Sequence, residues 1–191
     1  MWNRLMTNID LRCPAVNERL RPEFRTNAMA NPVPAGFHTL TAHLIVPEGD
    51  KAVAFYRQAF GAQELLRVMT PNGHAVMLVQ LKIGDSIFML GSEYAPIRLS
   101  PKRRGGTSVY LHLYVPDVAA SFAQAVKAGC VVRMPLSNAF WGDRHAVVED
   151  PFGHLWALAT RMHDYTPQQI AANAKAFIAG LMDDASGLTK P

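Results

Sequence analysis

The chain has 191 residues, with 19 Lys plus Arg against 15 Asp plus Glu, and close to half of them are apolar. That length suits one domain with tails. No apolar run approaches the ~20 residues of a membrane span, and the opening Met1–Asp10 lacks a signal peptide's apolar centre and small-residue cleavage site. The basic excess is scattered except at Lys102-Arg103-Arg104, which has no interleaved aromatics. That run reads as a solvated connector, and nucleic acid is not expected as a partner.

Residues 1–35 carry many Asn, Arg and Pro without a sustained period and read as an irregular extension. Met29 opens an alternative start, so residues 1–28 are expected to be dispensable or untranslated. Cys13 and Cys130 show neither metal nor redox spacing, and a reduced cytoplasmic setting is expected. The first strand is read over 41–46. Its two-residue period puts Thr41, His43 and Ile45 on one face and the apolar set Ala42, Leu44 and Val46 on the other. A helix follows over 51–60, with Ala52, Phe55, Ala59 and Phe60 on one side and Gly61 ending it. Strands are then expected over 64–69, 74–82 and 86–91, the last two joined by a Gly84-Asp85 hairpin turn. Residues 92–106, rich in Pro, Gly and basic side chains, read as a linker.

The pattern then repeats. His43-Leu-Ile-Val-Pro47 returns as His112-Leu-Tyr-Val-Pro116, 69 positions later, and near the same offset Gly84 recurs as Gly153 and Gln80 as Glu149. Fixed-offset self-similarity marks two copies of one supersecondary unit. The second copy has a strand over 108–115, a helix over 118–128, strands over 131–134, 145–149 and 155–160, and a long loop over 135–144. A last helix, 168–182, places Ile170, Ala174, Phe177, Ile178 and Leu181 at helical spacing, and the final residues are expected to fray. The predicted class is α+β: two tandem βαβββ modules (36–91 and 107–165) plus the 166–191 helix and tail.

Two βαβββ modules, the second ending in Asp150-Pro-Phe-Gly-His-Leu-Trp156, resemble the vicinal oxygen chelate superfamily. That group includes glyoxalase I, extradiol dioxygenases, fosfomycin-modifying enzymes and bleomycin-resistance proteins. Ala52–Gly61, Gly105–Asp117 and Phe140–Trp156 look like its PhnB-like branch. The resemblance implies a curved eight-stranded sheet around a cavity, and a homodimer. It also implies metal ligands on the first and last strands of each module. The corresponding positions here are Thr41, Phe88, Tyr110 and Ala157. Phe and Ala donate nothing, and neutral Thr and Tyr are poor donors for a divalent ion. The usual metal site is therefore expected to be absent, with no other cofactor implied.

His43 and His112, two residues beyond the lost ligand positions, are expected to look into the cavity and approach one another. They bind or protonate a ligand, or else simply line the wall. A displaced metal site would need a third donor, for which Glu149 with its mate Gln80 is the candidate, although an acidic residue before a turn more often serves local backbone donors. Trp141, Tyr110, Tyr114 and Phe88 form a candidate aromatic wall for a planar ligand, with Trp141 on a loop. Arg144 either clamps an anionic group or pairs with Asp143 or Glu149. His74, His145, His154 and His163 read as surface or structural.

The expected function is small-molecule binding between the two modules, using Thr41, His43, Phe88, Tyr110, His112, Tyr114, Trp141 and Arg144. Two catalytic readings stand beside it: a glyoxalase-type metal-dependent lyase or isomerase with displaced ligands, and a metal-free acid–base enzyme using His43 or His112. A cavity filled by side chains, serving assembly alone, is disfavoured by the polar groups kept on the cavity face.

Overall fold

The computed structural model describes residues 31–187, and side chains to 180. The expectations for 1–30, the final four residues and Leu181 lie outside the described residues. The described residues from 34 onward form one compact unit. Its elements are β1 (His43–Val46), α1 (Gly49–Phe60), β2 (Gln63–Met69), β3 (Val76–Ile83), β4 (Ser86–Ser92), α2 (Pro101–Arg104), β5 (Tyr110–Tyr114), α3 (Val118–Ala128), β6 (Val131–Asn138), β7 (Asp143–Glu149), β8 (Leu155–Arg161) and α4 (Pro167–Gly187). The α+β class and the duplicated order are thus present, as two four-stranded mixed sheets ordered β1-β4-β3-β2 and β5-β8-β7-β6.

Alternation decides which face each strand buries. Leu44 and Val46 are buried and His43 is exposed, and in the second module Leu111 and Leu113 are half-buried while Tyr110, His112 and Tyr114 are exposed. The apolar side of each sheet meets its helix. Helices α1 and α3 pack on each other, and one core cluster runs through both modules. Asp117 caps α3 by accepting from the Ala119 and Ala120 amides at 2.9 and 3.0 Å, and Gly129 ends it at φ 112°, a left-handed value that suits glycine.

Two connections differ from the sequence reading. The linker holds the short helix α2, whose Arg103 pairs with Glu93 at 3.3 Å. The long loop expected over 135–144 shrinks to a four-residue turn, because β6 continues to Asn138 and β7 begins at Asp143. Pro135 was the misleading signal. It sits in an edge strand, where its missing N–H costs no ladder bond, and the register shifts there. Gly142 closes the turn at φ 102°, and its carbonyl accepts from the Met162 and His163 amides at 3.0 Å each.

The repeat slips as it proceeds. His43 pairs across to Met89, and Met89 to Gln80; His112 pairs to Ala157, and Ala157 to Val147. The structural mates are therefore Met89 with Ala157 and Gln80 with Val147, which corrects the Phe88–Ala157 and Gln80–Glu149 equivalences. The β7–β8 connection carries one more residue than that of β3–β4: Val147 to Ala157 spans ten positions, Gln80 to Met89 nine. A one-residue slip reverses the face, so Phe88 points to the helix side with Leu90, not to the side of His43.

Candidate functional site

A cleft of about 640 Å³ opens between the modules. Its floor is apolar and aromatic: Phe60 from α1, Ile83, Ile87 and Phe88 from β3, β4 and their turn, Leu111 and Leu113 from β5, and Trp156 from β8. Phe60 and Trp156 lie with ring centroids 4.6 Å apart, and Phe88 meets Trp156 at 6.0 Å in an edge-to-face arrangement. Such pairings hold ring positions beyond what area burial alone does. The polar groups sit at the rim: His38, Asp85 and Ser86 on one side, His112 and Tyr114 on the other. A few polar groups around an apolar floor, at a volume of several hundred Å³, is the ordinary chemistry of a small-molecule site.

Two buried aspartates brace this cleft. Asp150 is 2% exposed. Its Oδ2 accepts from the Tyr56 hydroxyl at 2.7 Å and the Trp156 indole N–H at 3.0 Å, and its Oδ1 accepts from the Phe152 and His154 amides at 2.9 Å each. Burial pushes its carboxyl up, but His154, Tyr56 and Trp156 more than offset this and hold its pKa below the usual carboxylate range. Because Tyr56 belongs to α1, this carboxylate ties module one to module two beneath the cleft floor. Burial first, and Asp150 second, push the nearby Cys130 thiol up to about 12, so at neutral pH it is an inert core thiol.

Asp143 is 1% exposed. Its Oδ2 accepts from the Tyr114 hydroxyl at 2.9 Å and the Trp141 indole at 2.7 Å, and its Oδ1 accepts from Arg161 at 3.2 Å. Burial again raises its pKa, and the three donors reverse that, leaving it lowered. The hydrogen bond to Asp143 raises the Tyr114 pKa. The phenol therefore keeps its proton and offers the cleft its lone pairs and ring face. His112 lies against that ring at 4.7 Å.

Of the predicted site residues, Phe88, His112 and Tyr114 line this cleft. Phe88 reaches it from the helix side of its sheet, not from the side on which the sequence reading placed it. His43 and His112 do not share a cavity: His43 lines a smaller one near α2 and accepts from Arg98 at 2.7 Å. Tyr110 lines a third, beside Arg133 and Glu149. Thr41 caps a local bend by donating to the His38 carbonyl at 3.0 Å. Trp141 acts through Asp143 and packs on His145 at 5.0 Å. Arg144 pairs in register with Thr160, on the opposite face from Asp143. The arginine that reaches Asp143 is Arg161. Glu149 is taken by Arg133 at 2.7 Å.

The donor set does not fit a divalent ion. Among the described residues no three His, Cys, Asp or Glu side chains converge as ligands would, and the positions facing His43 and His112 across the ladders are Met89 and Ala157.

Sequence reasoning missed Phe60, Trp156, Asp143 and Arg161. The first two were legible as apolar positions, but that they meet depends on how α1 packs on the second module. For Asp143, the signal was a carboxylate inside an aromatic stretch, Phe140-Trp-Gly-Asp143.

The two modules and their order agree with the comparisons to known proteins. The Glyoxalase/Bleomycin resistance protein/Dioxygenase superfamily model matches residues 36–158, and the chain belongs to that superfamily. An uncharacterized protein of Mycobacterium tuberculosis is 38% identical over 137 residues, which is 70% of this chain and 80% of that one. Among solved structures, TioX from Micromonospora sp. ML1 is 28% identical at a TM-score of 0.51, covering 68% of this chain and all of that one. A fosfomycin resistance protein, FosX from Listeria monocytogenes, solved with Mn(II) and sulfate, shares the fold at 16% identity and a TM-score of 0.51, covering 69% of this chain and 95% of its own. No described helix is long and apolar enough to cross a membrane.

Proposed function

We propose that this chain binds a planar, largely apolar small molecule in the cleft between its two modules, without a metal. The observation that carries this reading is the cleft's construction: an aromatic floor of Phe60, Phe88 and Trp156 with His112 and Tyr114 at the rim. A planar ligand gains from face and edge contacts with those rings. The imidazole of His112 and the phenol oxygen of Tyr114 supply hydrogen bonds that orient a polar edge. The stretches Ala52–Gly61, Gly105–Asp117 and Phe140–Trp156 support placing the chain in the PhnB-like branch.

A homodimer belongs to the same proposal. Side chains on the open sides of the sheets remain exposed, among them Leu66, Val68, Tyr110, Tyr114, Val131 and Met134, at 40% or more. An apolar surface of this extent marks an interaction face, and a second copy supplies a matching one. Light scattering is expected to report twice the monomer mass.

The test of the cleft is a thermal-shift screen of planar aromatic compounds against the full chain. Binders are expected to raise the melting temperature in a concentration-dependent way, and Leu113→Trp, which fills the cleft, is expected to abolish the shift. Hits that survive Leu113→Trp unchanged would place the ligand elsewhere. A rise with Zn²⁺ or Mn²⁺ alone would instead favour the catalytic reading with displaced ligands.

A further inference from the structure

The smaller cavity beside α2, about 200 Å³, has a different character. It is lined by His43 and Ile45 of β1, Pro101 and Arg104 of α2, Thr107, and His154 of the β7–β8 turn. No carboxylate lines it. The acidic groups near it are already engaged: Glu93 accepts from the Ser100 amide at 2.8 Å and Arg103 at 3.3 Å, and Asp150 holds Tyr56 and Trp156.

The guanidinium groups beside it lack such partners. Among the described residues neither Arg98 nor Arg104 makes an ion pair, while Arg103, Arg133 and Arg161 each do. Arg98 instead donates to His43 Nε2 at 2.7 Å. A guanidinium has no lone pair to offer, so His43 is the acceptor there and its remaining proton sits on Nδ1. Burial first, and then Arg98, push the His43 pKa down. His154 is 7% exposed, and its Nδ1 lies 3.3 Å from Asp150 Oδ2 without a hydrogen bond. Arg104 is exposed and unpaired, so an anion entering the cavity meets guanidinium charge that no carboxylate already neutralises, while His154 has Asp150 as its acidic neighbour.

We propose that this cavity binds a phosphate-type oxyanion, with Arg104 supplying charge, Thr107, His43 and His154 supplying hydrogen-bond donors, and Arg98 acting behind His43 by fixing its tautomer. Guanidinium groups match the oxygen spacing of phosphate in two-point contacts. The neighbouring cavity of about 580 Å³ shares Pro101, Gly106 and Thr107 and contains Tyr110 and Arg133. That neighbour gives an organic substituent on the phosphate a place to lie. This site is separate from the aromatic cleft, and either can fail without the other.

Isothermal titration of the full chain with inorganic phosphate at low ionic strength tests it. One saturable site per chain is expected, weakened about tenfold or more by Arg104→Gln. Arg103→Gln removes the same charge one residue away, from an arginine paired to Glu93, and is expected to change affinity less than about twofold. Equal losses in the two variants would mean diffuse attraction to a basic protein and would overturn the assignment, as would the absence of saturable binding. Phenyl phosphate distinguishes the source: tighter binding than inorganic phosphate indicates an ester reaching the Tyr110 cavity, and equal binding indicates the free ion.

Discussion

Asp150 and Asp143 are two answers to one chemical problem. Each is almost wholly buried, and each gathers a tyrosine hydroxyl and a tryptophan indole on the same Oδ2. They differ in what surrounds them. The partners of Asp150 are themselves core, Tyr56 at 0% and Trp156 at 4% exposed, and two backbone amides complete the set. The partners of Asp143 reach the surface: Tyr114 is 60% exposed, and Arg161 lies on the open side. The same donors thus make a permanent joint between modules in one place and an adjustable prop for the cleft rim in the other. Burial of the partners, not of the carboxylate, separates structure from function here.

The largest effect is expected at Asp150. Asp150→Ala leaves the Tyr56 hydroxyl, the Trp156 indole and two amides without an acceptor in the core, and stability should fall by about 3 kcal/mol or more. Urea denaturation monitored by tryptophan fluorescence measures this. A loss below about 1 kcal/mol would mean that water replaces the carboxylate and that the joint is not one.

Acid should act through both aspartates. Each has a folded pKa below its ordinary value, so the unfolded chain takes up protons first as pH falls. The stability they contribute is complete above the unfolded value of about 3.9 and is lost as pH drops through the lower folded values. Denaturation midpoints should be flat from neutrality to about pH 5 and fall steeply below about pH 4. Asp150→Asn should flatten that fall more than Asp143→Asn does.

Much of the fold was legible in the sequence because duplication and alternation are local signals. The pentapeptide echo and the two-residue period located both modules and put Leu44 and Val46 on the apolar face. The site was less legible, for reasons that specific residues show. Phe88 was assigned to the wrong side because the second module is two residues shorter from β5 to β7 and one longer from β7 to β8, a net slip of one position, and in a strand one position is a whole face. Trp141 was recognised as special, but its partner was overlooked, since an aspartate beside an arginine suggests an ion pair at the surface. The pairing of Phe60 with Trp156 links residues 96 positions apart. No local period encodes such a contact. His43 and His112 echo each other in sequence, yet they serve different cavities because α2 and Arg98 cover only the first.

The Asp143 arm of the comparison is tested by Asp143→Asn. The carboxylate is removed with its shape retained, and partly exposed donors can turn to water, so the stability loss should be about 1 kcal/mol. The sharper readout is the Tyr114 phenol. Its pKa is raised by Asp143, and without that negative charge it should move down toward its ordinary value of about 10. Spectrophotometric titration should show that one tyrosine shift while Tyr56, held by Asp150, stays where it was. If both tyrosines moved, the two aspartates would be coupled and the contrast between joint and prop would be lost.

The smallest effect should come from Arg144. The sequence offered it as the anion clamp, but in β7 it lies on the helix-side face, opposite Asp143 and His145 and beside Thr160, and it does not line the cleft. Arg144→Ala is therefore expected to change stability by less than about 0.5 kcal/mol and to leave cleft ligands bound as before. Arg161→Ala is the informative neighbour. It removes a donor to Asp143 and to the Trp141 carbonyl, loosening the rim without touching the aromatic floor. Ligand affinity should weaken for Arg161→Ala and not for Arg144→Ala. The reverse order would mean that Arg144, and not the Asp143–Arg161 prop, governs the cleft rim, and the rim would have to be redrawn around Arg144.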